Sequence, residues 1–294
     1  MGDCVRAIDR LVDSLHAKPP VRAWSLIATF YGDAIAPRGG EVWLGTITEL
    51  MAALRVDERA VRAAMSRLAR DGWLERAKIG RLSYYGLSET GHATFAEATE
   101  RIYKSGRKTD AEGWRLVLLV DGDVRAGQKE RLARSGFGQF APNVMIGAAS
   151  TPLPSGFEGQ GAAVLLGKLE LGDEGDLVGR AFDLIPLSVR YQAFLDRYRP
   201  LVKALERSDP PEGLEAMVAR TLLIHDYRRI VLRDPRLPAR LLPADWRGHE
   251  AEALCAALYK RLLAPSDAWL KSAASSRKGR LPAPNRDYDK RFSS

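Results

Sequence analysis

Hydrophobic and polar positions between residues 24 and 88 predict three helices followed by two strands. Apolar residues recur at helical spacing over Trp24–Ile35, and the breakers in Pro37–Gly40 end this first helix. The segment Thr46–Glu49 has the form of a capping box, which predicts a second helix through Leu54. A third amphipathic pattern runs over Asp57–Asp71. Two short strand patterns then follow, at residues 73–76 and 82–87.

This order of elements predicts a winged helix-turn-helix over residues 24–88. A short strand-like run at residues 42–44 precedes the second helix, and Ala77–Arg81 joins the last two strands with Gly80 at the turn. In such a unit the third helix lies in the major groove of DNA. The hairpin, or wing, reaches the neighbouring phosphates. Ser88 is placed to cap one more helix, which the pattern carries to about residue 104.

The third predicted helix has an arginine-rich face opposite an apolar one. At about 100° per residue, one arc carries Arg59, Arg62, Ala63, Ser66 and Arg70, with Arg67 at its edge. The opposite side carries Val61, Ala64, Met65 and Leu68. Asp57 stands at the N-cap position, where its carboxylate can accept the free N–H groups of the first turn. One face can therefore pack on a core while the other presents guanidinium groups.

This basic face favours a polyanionic partner, because anions are few around it. Between residues 59 and 81 there are seven cations, against only Asp71 and Glu75. Guanidinium groups fit phosphate oxygens and the acceptor edge of guanine. The other interpretation is the solvated charged face that any amphipathic helix has. The candidate DNA-binding residues are Arg59, Arg62, Ser66, Arg67, Arg70, Lys78 and Arg81.

Composition excludes several other classes of protein. The 294 residues carry a net charge of +8 and a pI near 9.6, which suits a nucleic-acid-binding protein. No apolar run approaches the roughly 20 residues of a membrane helix, and the first residues lack the layout of a signal peptide. Cys4 and Cys255 are far apart and lack metal-ligand spacing. We therefore expect a cytoplasmic protein with no metal site, no disulfide and no cofactor.

The middle of the chain predicts an α+β domain. Residues 114–120 have a buried-strand pattern, residues 137–146 look extended, and residues 162–171 form another strand region. Short helices are predicted at residues 128–134 and 175–182. Strands interleaved with two helices suggest a ferredoxin-like unit.

From residue 186 onward the pattern becomes helical. Tyr191, Phe194, Leu195, Tyr198, Leu201 and Leu205 recur at helical spacing, and turn-rich segments at 233–238 and 242–246 interrupt the helices. The last stretch, residues 272–294, is basic and rich in Ser and Pro, which predicts a disordered tail. It serves either as a solubilising tail or for added phosphate contact. The expected domains are residues 1–104, 105–184, 185–271 and 272–294, in an α+β protein.

Two blocks of the sequence resemble the PaaX family of repressors of phenylacetate-degradation operons. The first block is Phe30–Trp43, with matches at Val61-Arg62, Arg67-Leu68, Asp71–Trp73 and Tyr84-Tyr85. The second comprises Leu223–Arg229, Arg233–Pro235, Leu237-Pro238 and Leu242–Trp246. The resemblance implies a homodimeric repressor with a winged-helix domain, a ferredoxin-like domain and a helical C-terminal domain.

The resemblance also implies an aryl-acetyl coenzyme A thioester, typically phenylacetyl-CoA, as the inducer. Such a ligand needs cations for its phosphates and an apolar pocket for its acyl group. His225, Arg228 and Arg229 are candidate effector residues, with Arg190 and Arg197 nearby in the sequence. His225 is equally compatible with a buried, hydrogen-bonded histidine, and the two arginines with cations of an interface or a helix cap.

Enzymatic alternatives have little support in the sequence, and no catalytic residues are assigned. Asp121 and Asp123 follow a predicted strand, where a metal-dependent nuclease would carry carboxylates, but a cluster of them would be needed. A hydrolase would need a nucleophile elbow, which is missing, and the adjacency of His225 and Asp226 does not make a triad. An RNA-binding module would show an aromatic stacking pattern, which is also missing.

Overall fold

The computed structural model describes residues 2–17, 20–104, 112–119, 125–154, 156–157 and 161–293. The chain divides into two compact units, each assembled from separate segments. The first unit contains residues 1–104, 193–228 and 250–293, and the second contains residues 105–192 and 229–249. The units are thus discontinuous in sequence, whereas the sequence pattern predicts contiguous domains.

The N-terminal third of the chain contains the predicted helix-turn-helix and wing. Its elements are α1 (Asp3–His16), α2 (Ala23–Phe30), a π-helical turn (Tyr31–Ile35), a 3-10 turn (Ala36–Arg38), β1 (Glu41–Trp43), α3 (Leu44–Ala53), α4 (Glu58–Arg70), β2 (Leu74–Ile79), β3 (Leu82–Leu87) and α5 (Glu89–Tyr103). The three strands form an antiparallel sheet in the order β1-β3-β2. Ser88 caps α5 as predicted, since its hydroxyl accepts a hydrogen bond from the backbone N–H of Gly91.

The predicted capping box at the start of α3 is wrong. The helix begins at Leu44, two residues before Thr46, so Thr46 lies inside the helix. Its hydroxyl donates to the carbonyl of Ala273 at 2.9 Å. The carboxylate of Glu49 accepts from the indole N–H of Trp269 at 3.3 Å. Both side chains therefore serve contacts with residues far along the chain, which a local pattern cannot reveal.

The second unit is built around a four-stranded antiparallel sheet, which confirms the predicted α+β class. Its elements are β4 (Trp114–Leu119), α6 (Arg125–Ser135), β5 (Gly138–Ala141), β6 (Val144–Ala148), β7 (Ala162–Gly167) and α7 (Glu174–Ala181). The strand order is β5-β6-β4-β7, which makes β7 an edge strand. Val117 and Met145 pair on one face of the sheet and pack with Leu132 of α6. On the other face, Ile146 packs with Val178 of α7.

The helices of this sheet do not follow the ferredoxin-like order. A βαββαβ unit places its second helix between the third and fourth strands. Here α7 follows the last strand, and α6 and α7 pack on opposite faces. The physical reason lies in the described part of the connection from β6 to β7, where Pro152 and Pro154 oppose a helix.

The C-terminal part is helical, as predicted. It contains α8 (Leu184–Arg207), α9 (Gly213–Val231), a 3-10 turn (Ala239–Leu241), α10 (Gly248–Ala273), and the two-residue strands β8 (Ser275–Ser276) and β9 (Gly279–Arg280), which pair as a hairpin. The apolar residues predicted to form one face of a helix from 191 to 205 are all buried. No helix in the described residues is long and apolar enough to cross a membrane.

The prediction of a disordered C-terminal tail is wrong for residues 272–293. Tyr288, Arg291 and Phe292 are buried. The backbone N–H of Asn285 donates to the carbonyl of Pro37, and that of Phe292 donates to the carbonyl of Tyr103. The composition of the segment is typical of disorder, but its few large side chains find partners in the first unit.

A buried ionic cluster explains why this C-terminal segment is held. Asp33, in the π-helical turn, accepts hydrogen bonds from Arg220 at 2.7 Å, Arg291 at 3.0 Å, Tyr103 at 2.7 Å and Tyr259 at 2.9 Å. Burial alone would raise the pKa of Asp33, but the two guanidinium groups outweigh it and lower the pKa. The carboxylate therefore stays charged and joins three distant parts of the chain.

The cluster extends to a second carboxylate. Arg220, which is fully buried, also donates to Asp267 at 2.9 Å, and Arg38 donates to the other oxygen of Asp267 at 2.7 Å. The Arg38 guanidinium lies 4.5 Å from the ring centre of Tyr288. Because each charge in this cluster has opposite charges and hydrogen bonds around it, the cluster avoids the penalty of an unpaired buried ion.

Candidate nucleic-acid interface

Residues at and just beyond the two ends of α4 fix the helix. Asp57 caps it, accepting a hydrogen bond from the backbone N–H of Ala60 at 2.9 Å. After the helix, Gly72 takes a φ of 74°, a left-handed conformation that suits glycine at a helix end. The inner side is buried through Val61, Ala64, Met65 and Leu68. Packing of these residues holds α4 with its opposite face outward.

All the polar residues predicted for the outward face of α4 are exposed. They are Arg59, Arg62, Ser66, Arg67 and Arg70. The structure thus brings four guanidinium groups and a hydroxyl onto one side of a single helix. This side has the donors needed for phosphate and base-edge contacts.

The arginines of α4 differ in their partners. Arg62 donates to Glu58 one turn earlier, with the Nε–Oε1 distance at 3.1 Å, and this hydrogen bond raises the pKa of Arg62. The Arg67 guanidinium lies 5.3 Å from the ring centre of Trp24 and also pairs with Asp71.

Arg59 makes no ion pair within the described part of the chain. It is therefore the arginine of α4 that is most readily available to an outside anion. The i,i+4 spacing of Glu58 and Arg62 is a sequence signal for this pairing. The stacking of Arg67 on Trp24 depends on how α2 packs, and no sequence signal marks it.

The wing is longer and its turn tighter than the sequence predicts. The strands β2 and β3 stay paired up to Ile79 and Leu82, so the turn is the two residues Gly80 and Arg81. Gly80 has a φ of 58°, which a two-residue hairpin turn requires of a glycine. Lys78 and Arg81 are exposed at this tip, where the sequence places them. The wing can therefore offer two cations beside the face of α4.

Two of the three candidate effector residues, His225 and Arg228, form hydrogen bonds inside the first unit. His225 is buried, and its Nδ1 lies 3.1 Å from the hydroxyl of Thr29. Arg228 donates to the same hydroxyl at 2.7 Å and to the carbonyl of Ser25 at 2.9 Å. The cavity that Arg228 lines has a volume of about 30 Å³, room for about one water molecule.

His225 and Arg228 therefore join α9 to α2, and the small cavity that Arg228 lines is too small for an acyl-CoA. Arg229 is exposed. Arg197, also considered for a phosphate, pairs with Asp226 at 2.8 Å.

The residues behind the nuclease alternative, Asp121 and Asp123, lie outside the described residues. Within the described ranges, no group of three or more His, Cys, Asp or Glu side chains is arranged to hold a metal ion. Cys4 and Cys255 are buried as free thiols.

Two family models and one sequence relative point to the same family. Residues 22–91 match the model of the PaaX-like protein, and residues 182–272 match the model of the PaaX-like protein C-terminal domain. The chain is 36% identical over 302 residues to the transcriptional repressor PaaX of Escherichia coli (strain K12), covering 97% of this chain and 94% of that protein. A solved structure, the uncharacterized protein Rv0674 from Mycobacterium tuberculosis, matches with a TM-score of 0.47 at 22% identity, covering 74% of this chain and 88% of that one.

Proposed function

The chain belongs to the PaaX family of transcriptional repressors, a family of regulators and not of enzymes, and from this premise we propose that it represses an operon for phenylacetate catabolism. It does so in the cytoplasm by binding operator DNA through α4 and the wing. The observation that carries the proposal is the exposed basic face of α4, whose inner side is fixed by buried packing. A major-groove helix needs this combination of rigidity and exposed donors.

The DNA contacts divide into two kinds. The residues of α4 face outward from a rigid helix, so Arg59, Arg62, Ser66, Arg67 and Arg70 are the candidates for base edges and nearby phosphates. Lys78 and Arg81 at the wing tip are the candidates for phosphates alone, which add affinity without sequence information. Occupation of a promoter by this surface would block transcription.

Selection of binding sequences from a random pool of DNA duplexes tests the DNA-binding proposal. We expect a defined sequence to emerge, and we expect it to compete for the protein far better than an unrelated duplex or single-stranded RNA of equal length. Equal binding of all three would contradict a sequence-specific repressor. A preference for the RNA would favour the RNA-binding alternative.

We further propose that the repressor is a homodimer. The edge strand β7 of the second unit exposes Leu165 and Leu166, which are 52% and 64% exposed. An exposed apolar edge strand is a template for pairing with another strand, and a second copy of the chain presents the same edge. Leu166→Lys should therefore yield a monomer in light scattering after gel filtration, whereas Leu171→Lys, outside the strand, should leave the dimer intact. A dimeric Leu166→Lys protein would contradict this interface.

The proposed inducer is an aryl-acetyl-CoA thioester such as phenylacetyl-CoA. Induction requires the ligand to bind the DNA-incompetent arrangement more tightly than the competent one. We expect phenylacetyl-CoA to release the protein from its selected DNA, while phenylacetate does not, because the free acid lacks the phosphates and the nucleotide. Release by phenylacetate at the same concentration would refute the CoA proposal.

A further inference from the structure

The second unit contains a cavity of about 490 Å³, within the range of small-molecule sites. Five parts of the chain surround it: the end of α6, the start of β5, the end of α7 with the two residues after it, the first two turns of α8 and the segment that follows α9. Its apolar lining includes Phe137, Phe182, Leu184 and Leu187. Phe137, Leu184 and Leu187 are buried, so the lining is held in place by the core of the unit.

Three arginines contribute to the polar lining of this cavity. Arg134, Arg190 and Arg233 contribute to the lining, together with the carboxylates of Glu130 and Asp183. Arg134 pairs with Glu130 at 3.1 Å, so these two charges offset each other. Arg190 and Arg233 are exposed and form no ion pair within the part of the chain that the structure describes. The cavity therefore joins an aromatic and aliphatic floor to two guanidinium groups that are available to an anion.

We infer that this cavity, and not the surroundings of His225 and Arg228, holds the acyl-CoA effector. The inference rests on the proposed function, because the ligand class comes from there. The aryl ring would pack against Phe137 and Phe182, and Arg190 and Arg233 would donate to the phosphates. Guanidinium groups suit phosphate oxygens because their N–H donors form paired, charge-assisted hydrogen bonds. A thioester offers both parts, whereas a free aryl acid offers no phosphate.

Two segments that line the cavity continue along the chain into the unit that contains α4. The lining takes residues from the start of α8 and from the segment after α9, and both helices contribute residues to each compact unit. A ligand that shifts the start of α8 or the end of α9 therefore acts on helices that also help to build the unit containing α4. Such a ligand changes DNA affinity to the extent that it favours one arrangement over another.

Titration calorimetry on the full-length protein tests the site. The ligands are phenylacetyl-CoA, coenzyme A and phenylacetate, and the variants are Arg190→Ala, Arg233→Ala and their combination. Each arginine should contribute a charged hydrogen bond, so we expect each single variant to bind phenylacetyl-CoA about 10-fold more weakly or worse. Coenzyme A should bind more weakly than the thioester, since it leaves the apolar floor empty.

Two matched arginines serve as controls. Arg207 is exposed, lies outside the cavity and forms no ion pair in the described residues, so Arg207→Ala should leave ligand binding unchanged. Arg229→Ala separates this cavity from the site expected from the sequence. Loss of phenylacetyl-CoA binding in Arg229→Ala together with full binding in the Arg190 and Arg233 variants would overturn the inference.

A second measurement on the unaltered protein removes any dependence on how the variants fold. In hydrogen exchange, phenylacetyl-CoA should protect residues 134–139 and 184–190, and protection elsewhere only would overturn the cavity assignment. The two proposals fail differently. If the unaltered protein binds its selected DNA but no acyl-CoA, the proposed inducer is wrong. If it binds phenylacetyl-CoA and the Arg190 and Arg233 variants bind equally well, only the cavity is wrong.

Discussion

Two groups of arginines in the first unit have opposite environments. Arg220 and Arg291 are buried around Asp33, with every guanidinium group hydrogen-bonded and paired with a carboxylate. Arg59 and Arg62 on α4 are exposed, and Arg59 has no charged partner within the described residues. The first group joins distant segments of the chain. The second is left available to an anion from outside.

The difference shows that arginine content alone says little about DNA binding. Of the six cations in the C-terminal segment 272–294, Arg291 is buried on Asp33 and Arg277 pairs with Glu41 at 2.6 Å. The net charge includes both groups equally. A paired and buried arginine, however, cannot reach a DNA phosphate and so cannot release a counterion. Substitutions in the two groups should therefore affect different properties, stability in one and DNA affinity in the other.

The largest expected effect is loss of stability on removing Arg220. Arg220→Ala leaves Asp33 and Asp267 without a shared buried cation, and breaking a buried pair in this way costs about 3–5 kcal/mol. Urea unfolding followed by circular dichroism measures the loss. Arg207→Ala, which removes an exposed arginine, should change stability by no more than about 0.5 kcal/mol. An unchanged unfolding midpoint for Arg220→Ala would contradict the proposed stabilising role of the cluster.

Removing Arg291 should cost less, because Asp33 keeps Arg220. We expect Arg291→Ala to lower the free energy of unfolding by about 2–3 kcal/mol through lost charged hydrogen bonds. Arg286 provides a matched control in the same segment, since it is exposed. If Arg291→Ala and Arg286→Ala unfold at the same urea concentration, the C-terminal segment is not held by this cluster.

Removing Arg59 should weaken DNA binding without changing stability. We expect Arg59→Ala to lose about 1–3 kcal/mol of affinity for the selected DNA if Arg59 contacts a base edge. Arg62→Ala should lose less, because Arg62 must first give up part of its pairing with Glu58. Fluorescence anisotropy at matched salt measures both. A larger loss for Arg62→Ala would show that the pairing in the free protein does not limit contact with DNA.

The smallest effect is expected at the wing. Lys78→Ala should weaken binding to all duplexes alike and reduce the slope of log affinity against log salt by about 1, because one phosphate contact is lost. Anisotropy titrations at several salt concentrations measure this slope for the selected and an unrelated duplex. A loss confined to the selected duplex would instead assign Lys78 to sequence recognition.

Local sequence signals predicted the elements of the winged helix well. The cap at Asp57, the cap at Ser88 and the glycine at the wing turn are local devices, since each acts within a few residues of its position. The capping-box prediction at Thr46 failed because the helix begins earlier, at Leu44, and the Thr46 hydroxyl donates instead to the carbonyl of Ala273. Likewise, composition predicted a disordered C-terminal segment, because composition does not reveal a single buried ion pair such as that of Arg291 with Asp33.

The sequence by itself determined the α+β class, the family, the order of elements in the winged helix and the outward face of α4, because these depend on local periodicity, caps and turns. Only the tertiary structure decided which arginines are available. In the folded chain, Arg220 and Arg291 are buried against Asp33, and Arg59 is exposed. A cavity lies beside Arg190 and Arg233. The physical reason is that pairing and burial of a charge depend on groups distant in sequence, which only the folded chain brings together.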